Sequence, residues 1–203
     1  MPLFEFEGKR PQVHPSAFIA DTATLVGEVI VEQDASVWFG AVLRADYAPV
    51  IVRAGANVQD GSIIHGPPGH STEIGPGATV AHLCVVHGAT IGEEALIANG
   101  ATVLDGARIG ARAMVAAGAV VTGGMQIPDE TLAVGIPAKV KGPLAGTPAE
   151  FLGEDEPGGL PRPRAPVPRE PQADHLTPTS WSGPAAATSA ASGSRRRGGS
   201  PRR

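Results

Sequence analysis

The sequence of 203 residues holds one cysteine, Cys84. A single thiol excludes a disulfide framework within the chain and fits a reducing compartment. Aromatic residues make up only 4% of the chain, although apolar residues reach 42%. A core of that composition must be built from Val, Ile, Leu and Ala, so it is expected to be narrow and regular. No stretch approaches the roughly 18–20 apolar residues of a membrane span. The opening segment, MPLFEFEGKR, lacks a basic stretch followed by an apolar run, so no secretory leader is read there. These absences predict a soluble, cytoplasmic protein with no membrane partner. The formal net charge of −4 is mild and by itself names no partner.

Glycine (27) and proline (20) are abundant, which favours a turn-rich fold over long helices. The composition changes near residue 153. Residues 1–152 carry 8 basic and 15 acidic side chains, a net of −7. Residues 153–203 carry 8 and 5, a net of +3, and hold 9 of the 20 prolines. Stretches such as PRPRAPVPREP and GPAAATSAASGS cannot bury enough apolar surface to offset chain entropy, so 153–203 is expected to be a disordered tail. Its arginine-rich end is read as solvated rather than as a nucleic-acid contact.

The body is a repeat. Branched aliphatics recur every six residues at Ile91, Ile97, Val103, Ile109, Val115, Val121 and Ile127, and again at Ile74 and Val80. A small residue often follows, as in Ile91-Gly92, Ile97-Ala98 and Ile109-Gly110. Period six is neither helical nor simple strand alternation. It fits a chain that turns a corner every six residues, three hexads making one triangular coil, with the aliphatic pointing inward. The small residue fits the tight corner. Stacked coils bury a continuous core. The expected fold is therefore all-β, a parallel β-helix in the form of a triangular prism, over residues 1–143. From Val80 to Ile91 the spacing is eleven residues, one short of two hexads. His82 and His87 lie inside that break, where a one-residue slip re-aims side chains as a bulge does. HGPPGHSTE (65–73) is expected to be a loop between coils.

His65, His82 and His87 fall within 23 residues of the repeat. Taken alone they are either solvated or structural imidazoles or metal ligands, and three neutral imidazoles with an open fourth position form the ligand pattern of a catalytic zinc site. The same set also suits Fe²⁺ or Co²⁺, so the metal stays open between Zn²⁺ and these. Arg44 and Asp46 are two apart on one strand and share a face. Asn57, Gln59 and Asp60 stand in an NVQD segment, where polar side chains either serve a site or satisfy backbone groups at a coil corner.

The segments HPSAFIADTATLVGEV, SVWFGAVLRAD, NVQDGSIIHG and VAHLCVVHGATIGEEALIANGATVLDGARIG resemble the γ-class carbonic anhydrases and their hexapeptide-repeat relatives. The resemblance spans roughly residues 10–143, ending with GIPAKV. It rests on RxD, NxQD, a histidine five residues after QD, and H-x4-H. It implies a left-handed β-helix and a homotrimer with one metal ion at each interface. His65 and His87 would come from one chain and His82 from its neighbour. Arg44 and Asp46 would form an ion pair between subunits. Gln59 would orient the metal-bound water or the substrate, Asp60 would order the interface, and Asn57 would support it. The implied reaction is reversible hydration of CO₂ to bicarbonate by a metal-bound hydroxide.

The chain also departs from that pattern. Active relatives move the released proton with glutamates of an acidic loop. Pro68 stands three residues after the first ligand histidine and Tyr47 follows the RxD aspartate, where such glutamates would be. His70 and Glu73 are the titratable side chains of the loop that could replace them. Relatives continue past the GxPAKV segment into a helix, and here only a start of it, residues 144–152, is read. Dropping one base of the Leu152 codon leaves codons compatible with an amphipathic helix. The stretch 152–203 is accordingly read as an out-of-frame product, which sequencing the gene across codon 152 checks. Two other functions fit a hexapeptide repeat: an acyltransferase or thioesterase-like enzyme, and a non-catalytic trimeric scaffold.

Overall fold

The computed structural model describes residues 3–147. They form a left-handed parallel β-helix, with short strands on three flat faces and no helix. The first face stacks residues 42–45, Ile63–His65, Val85–His87, Thr102–Val103 and Val120–Val121. The second stacks residues 50–52, Thr72–Ile74, Thr90–Ile91, Arg108–Ile109 and Gln126–Ile127. The third runs from Phe18–Ile19 through Ser36–Val37, Asn57–Val58, Thr79–Val80, Leu96–Ile97 and Met114–Val115 to Thr131–Val134. Two long strands, Thr24–Val31 and Val42–Val52, pass from the first face to the second without a break. The first of them shifts register after Gly27, with φ +76°, where a Cβ would meet the Ala45 carbonyl oxygen at 2.3 Å.

The six-residue period is the reason for the prism. Each face sends one aliphatic ladder inward: Leu43, Ile64, Val86, Val103 and Val121; Val52, Ile74, Ile91, Ile109 and Ile127; Val58, Val80, Ile97 and Val115. None of these is more than 3% exposed. Burying each such side chain contributes about 1.5–3 kcal/mol before entropy is counted. The small residue after the aliphatic is required for the expected reason. A Cβ at Gly92 would come within 2.6 Å of the Gly110 backbone, and one at Gly75 within 2.6 Å of the Ile91 carbonyl. The left-handed residue of each corner is a different one. Between the third and first faces it is Gly40, Gly61, Leu83, Gly100 and Gly118 in turn, so Leu83 (φ +58°) stands where the coils on either side carry glycine.

Two details of the repeat differ from the sequence expectation. HGPPGHSTE does not join two coils. It is a corner insertion within one coil, linking Ile63–His65 on the first face to Thr72–Ile74 on the second. The one-residue slip is also narrower than the interval from Val80 to Ile91. Val80 to Val86 is a normal hexad, and the missing residue falls between Val86 and Ile91, just after His87, where Gly88 turns with φ +58°. The last coil closes with an antiparallel pair, Thr131–Val134 against Lys139–Pro143. Residues 144–147 form a turn, while 148–152 of the expected helix start and the tail 153–203 lie outside the described residues.

Candidate metal centre

Pairing register builds the centre. Arg44, His65 and His87 are direct neighbours on three successive coils of the first face. Each follows an inward aliphatic (Leu43, Ile64, Val86), so all three belong to the outer surface of that face. His65 and His87 have ring centroids 4.8 Å apart. His65 Nδ1 and His87 Nε2 face each other at 2.9 Å. The other nitrogen of each ring meets a carboxylate: His65 Nε2 lies 2.9 Å from Asp46 Oδ1, and His87 Nδ1 hydrogen-bonds Asp105 Oδ1.

The donor and acceptor inventory decides what this pair can hold. An ionised carboxylate only accepts hydrogen bonds, so each imidazole gives its N–H to its aspartate. With both rings neutral, the two facing nitrogens then both carry lone pairs. Two lone pairs at 2.9 Å repel unless a cation or a shared proton sits between them. A carboxylate on the outer nitrogen is also the usual support of a metal-bound histidine. The pair therefore fits a divalent metal. Burial alone would push the Asp46 carboxyl up. The hydrogen bond from His65, the backbone and the Arg44 guanidinium together hold it below the usual carboxylate range, so it stays an acceptor.

His82 is elsewhere on the chain. It sits at the edge between the third and first faces, half exposed, with Nδ1 3.1 Å from Asp60 Oδ2. Leu83 beside it is 71% exposed. Among the described residues no three metal-ligating side chains converge within one chain. The chain thus carries two half-sites: the pair His65 and His87 on a face, and His82 with Asp60 on an edge. Gln59 belongs with the edge cluster, half-buried just before Asp60. Asn57 is buried on the outer side of the third face, and its Oδ1 has no hydrogen-bond partner.

Other expected residues fall into place differently. Within the chain Arg44 and Asp46 form an ion pair. Glu73 is committed to Arg53 at 2.7 Å on the second face. His70 stays exposed and lies over Gly88 and Gly106, beside Asp105. Tyr47 is exposed. Asp105, the partner of His87 Nδ1, was not singled out from the sequence. Its signal was its distance from His87: eighteen residues, one full coil, in a fold of that period.

Among the described residues no helix is long and apolar enough to cross a membrane. The family profile described as bacterial transferase hexapeptide (six repeats) matches residues 88–123. A protein of Geobacillus kaustophilus named carbonic anhydrase is 44% identical over 138 residues, covering 68% of this chain and 76% of its own length. Carnitine operon protein CaiE of Escherichia coli is 43% identical over 107 residues, covering 52% of this chain and 54% of CaiE. The crystal structure of a Bacillus cereus protein described as an acetyltransferase superposes with a TM-score of 0.70 at 40% identity, over 71% of this chain and 84% of that one. With its period-six prism, its NVQD and H-x4-H segments and these relatives, the chain belongs to the γ-carbonic-anhydrase-like hexapeptide-repeat family.

Proposed function

We infer that the chain works as a homotrimer in which His82 of one copy completes a divalent metal site at His65 and His87 of the next, and that this site hydrates CO₂ reversibly to bicarbonate. The observation that carries the reading is the facing pair of imidazole nitrogens, each backed by an aspartate. The split into a face and an edge supports the trimer, since a closed ring of identical chains brings one surface patch against a different one. Among the charged groups of the two half-sites, Phe39, Ile63 and Leu83 are exposed on the edge and the first face. Such a patch on a soluble chain marks an interaction surface.

His65, His82 and His87 would hold Zn²⁺, with Fe²⁺ or Co²⁺ as alternatives. When bound, the cation supplies Lewis acidity and makes water nucleophilic at neutral pH. The chain's own residues do the rest. Asp46 and Asp105 fix the imidazole tautomers. Asp60 orients His82. Gln59, next to Asp60, would orient the metal-bound water or the incoming substrate, and Asn57 would support the segment. Each turnover joins water to CO₂ and releases one proton to solvent. Of the two loop candidates for carrying it, His70 is the one beside the site.

A second reading is acyl transfer or thioester hydrolysis, favoured by the description of the Bacillus cereus neighbour. One sample separates these. The protein is purified without oxygen, sized, and its metal content measured. A trimer with about one metal per chain, one per interface, is expected. CO₂ hydration and thioester hydrolysis are then assayed side by side, and His82→Ala should abolish whichever is present. A trimer that takes no metal even on reconstitution would overturn the reading in favour of a scaffold.

A further inference from the structure

The prism interior follows a simple rule: one aliphatic ladder per face, with small residues between. Pairing register lets the coils be compared position by position. In one column the small residues are Ala41, Ser62, Cys84, Ala101 and Ala119. In another they are Val50, Thr72, Ala89 and Ala107. Ser62 and Thr72 are hydroxyls at depths where most other coils carry plain hydrocarbon, and both are 0% exposed. The remaining buried polar side chains among the described residues, Ser36, Asn57 and His65, belong to the outer side of their strands. Packing does not call for the two hydroxyls, because alanine or valine fills the same columns.

What they touch explains them. Thr72 Oγ1 donates to the carbonyl of His65. The N–H of Gly88, next to His87, donates to Thr72 Oγ1 at 2.9 Å and to the same His65 carbonyl at 3.1 Å. The three groups form a closed ring that ties the end of one ligand strand to the end of the other. Ser62 Oγ donates to the Ala81 carbonyl at 2.6 Å and accepts from the Cys84 N–H at 3.0 Å. Ala81 and Cys84 bracket the turn whose central residues are His82 and Leu83, the turn with leucine in the left-handed region. Each hydroxyl therefore braces the backbone of one half-site.

We propose that Thr72 and Ser62 are positioning residues for the metal, Thr72 setting the spacing of His65 and His87 and Ser62 fixing the corner that presents His82. This rests on the reading that these three histidines hold a cation. A metal site needs its nitrogens placed to within a fraction of an ångström, and supporting hydrogen bonds supply that placement. The repeat itself names variants that should fold. Ser62→Ala installs the residue of its own column at 41 and 101, and Thr72→Val that at 50.

The test uses the full-length chain with Co²⁺ as probe. Affinity is measured by chelator competition, coordination by the Co²⁺ absorption spectrum, and scaffold stability by the thermal midpoint of the metal-free protein. Thr72→Val and Ser62→Ala should each bind Co²⁺ about tenfold more weakly, with an altered spectrum. Thr72→Ser should restore wild-type values. Should Thr72→Val fail to fold, Thr72→Ala, matching Ala89 and Ala107, carries the same test. Wild-type affinity and spectrum in the variants, with or without a lower midpoint, would overturn the proposal while leaving the metal reading intact. A wild-type chain that takes up no Co²⁺ would overturn both.

Discussion

The coils between Ile91 and Ile127 and those between Asn57 and Thr90 share one architecture but are built differently. The later coils keep the hexad without interruption, and their interior carries only Ile, Val, Ala and Met. The earlier coils hold all three candidate histidines, the corner insertion, the one-residue slip and both fully buried hydroxyls. They also place a leucine where the coils on either side turn on glycine. The regular coils supply a straight stack. The irregular ones use that stack as a ruler, so that side chains 22 residues apart in sequence, His65 and His87, become direct neighbours. Departures from the repeat are concentrated where local cost is exchanged for a site.

The comparison breaks most completely at the ligands. His65→Ala and His82→Ala should each lose bound metal and lower activity by several orders of magnitude, with little change in the metal-free fold. Mixing the two variants sharpens this. In randomly mixed trimers about a quarter of the interfaces join a chain with intact His65 to a neighbour with intact His82. Metal analysis of the mixture should recover that fraction, and no recovery would mean that the three histidines do not meet across chains. The opposite behaviour is expected in the regular coils. Ile97→Ala removes a fully buried ladder residue and should destabilise the chain by about 2–5 kcal/mol. Denaturant unfolding checks the loss, and Co²⁺ titration of the folded fraction should show wild-type affinity.

The same division decides what could be read before folding. The ladders were legible because the period is long, uniform and aliphatic, and each hit reinforces the next. The three candidate histidines stood out in the sequence because two of them lie in the break of the hexad repeat. Spacing alone did not separate them, because His82 and His87 are close in sequence yet occupy an edge and a face; only the family resemblance paired His65 with His87. HGPPGHSTE reads as a loop from its prolines and glycines, but only the strand pairing shows that it widens one corner. Glu73 looked free in sequence, and only the stacking of the second face brings it to Arg53. Asp105 was hidden because its partner is one coil away, a relation that exists only after the prism closes.

Asp105 gives the third expectation. Asp105→Asn keeps the shape and one acceptor but loses the charge that holds the His87 tautomer. Metal affinity should fall 10- to 100-fold, read by chelator competition, with the thermal midpoint unchanged.

The smallest effect is a pair of arginines, one in each region. Arg112 pairs with Glu130 at 2.8 Å on an exposed corner of the regular coils. Such a pair gains little Coulomb energy in high dielectric and orders two long side chains to do so. Arg112→Ala should leave both the thermal midpoint and Co²⁺ binding unchanged. Arg44 is similarly exposed, but its partner Asp46 is nearly buried and supports His65. Arg44→Ala removes one of the groups that hold Asp46 ionised. It should weaken metal binding by a few-fold while the midpoint moves no more than for Arg112→Ala. Equal metal affinity in the two variants would mean that Asp46 holds His65 without help from Arg44, and that the site's support ends at the aspartates.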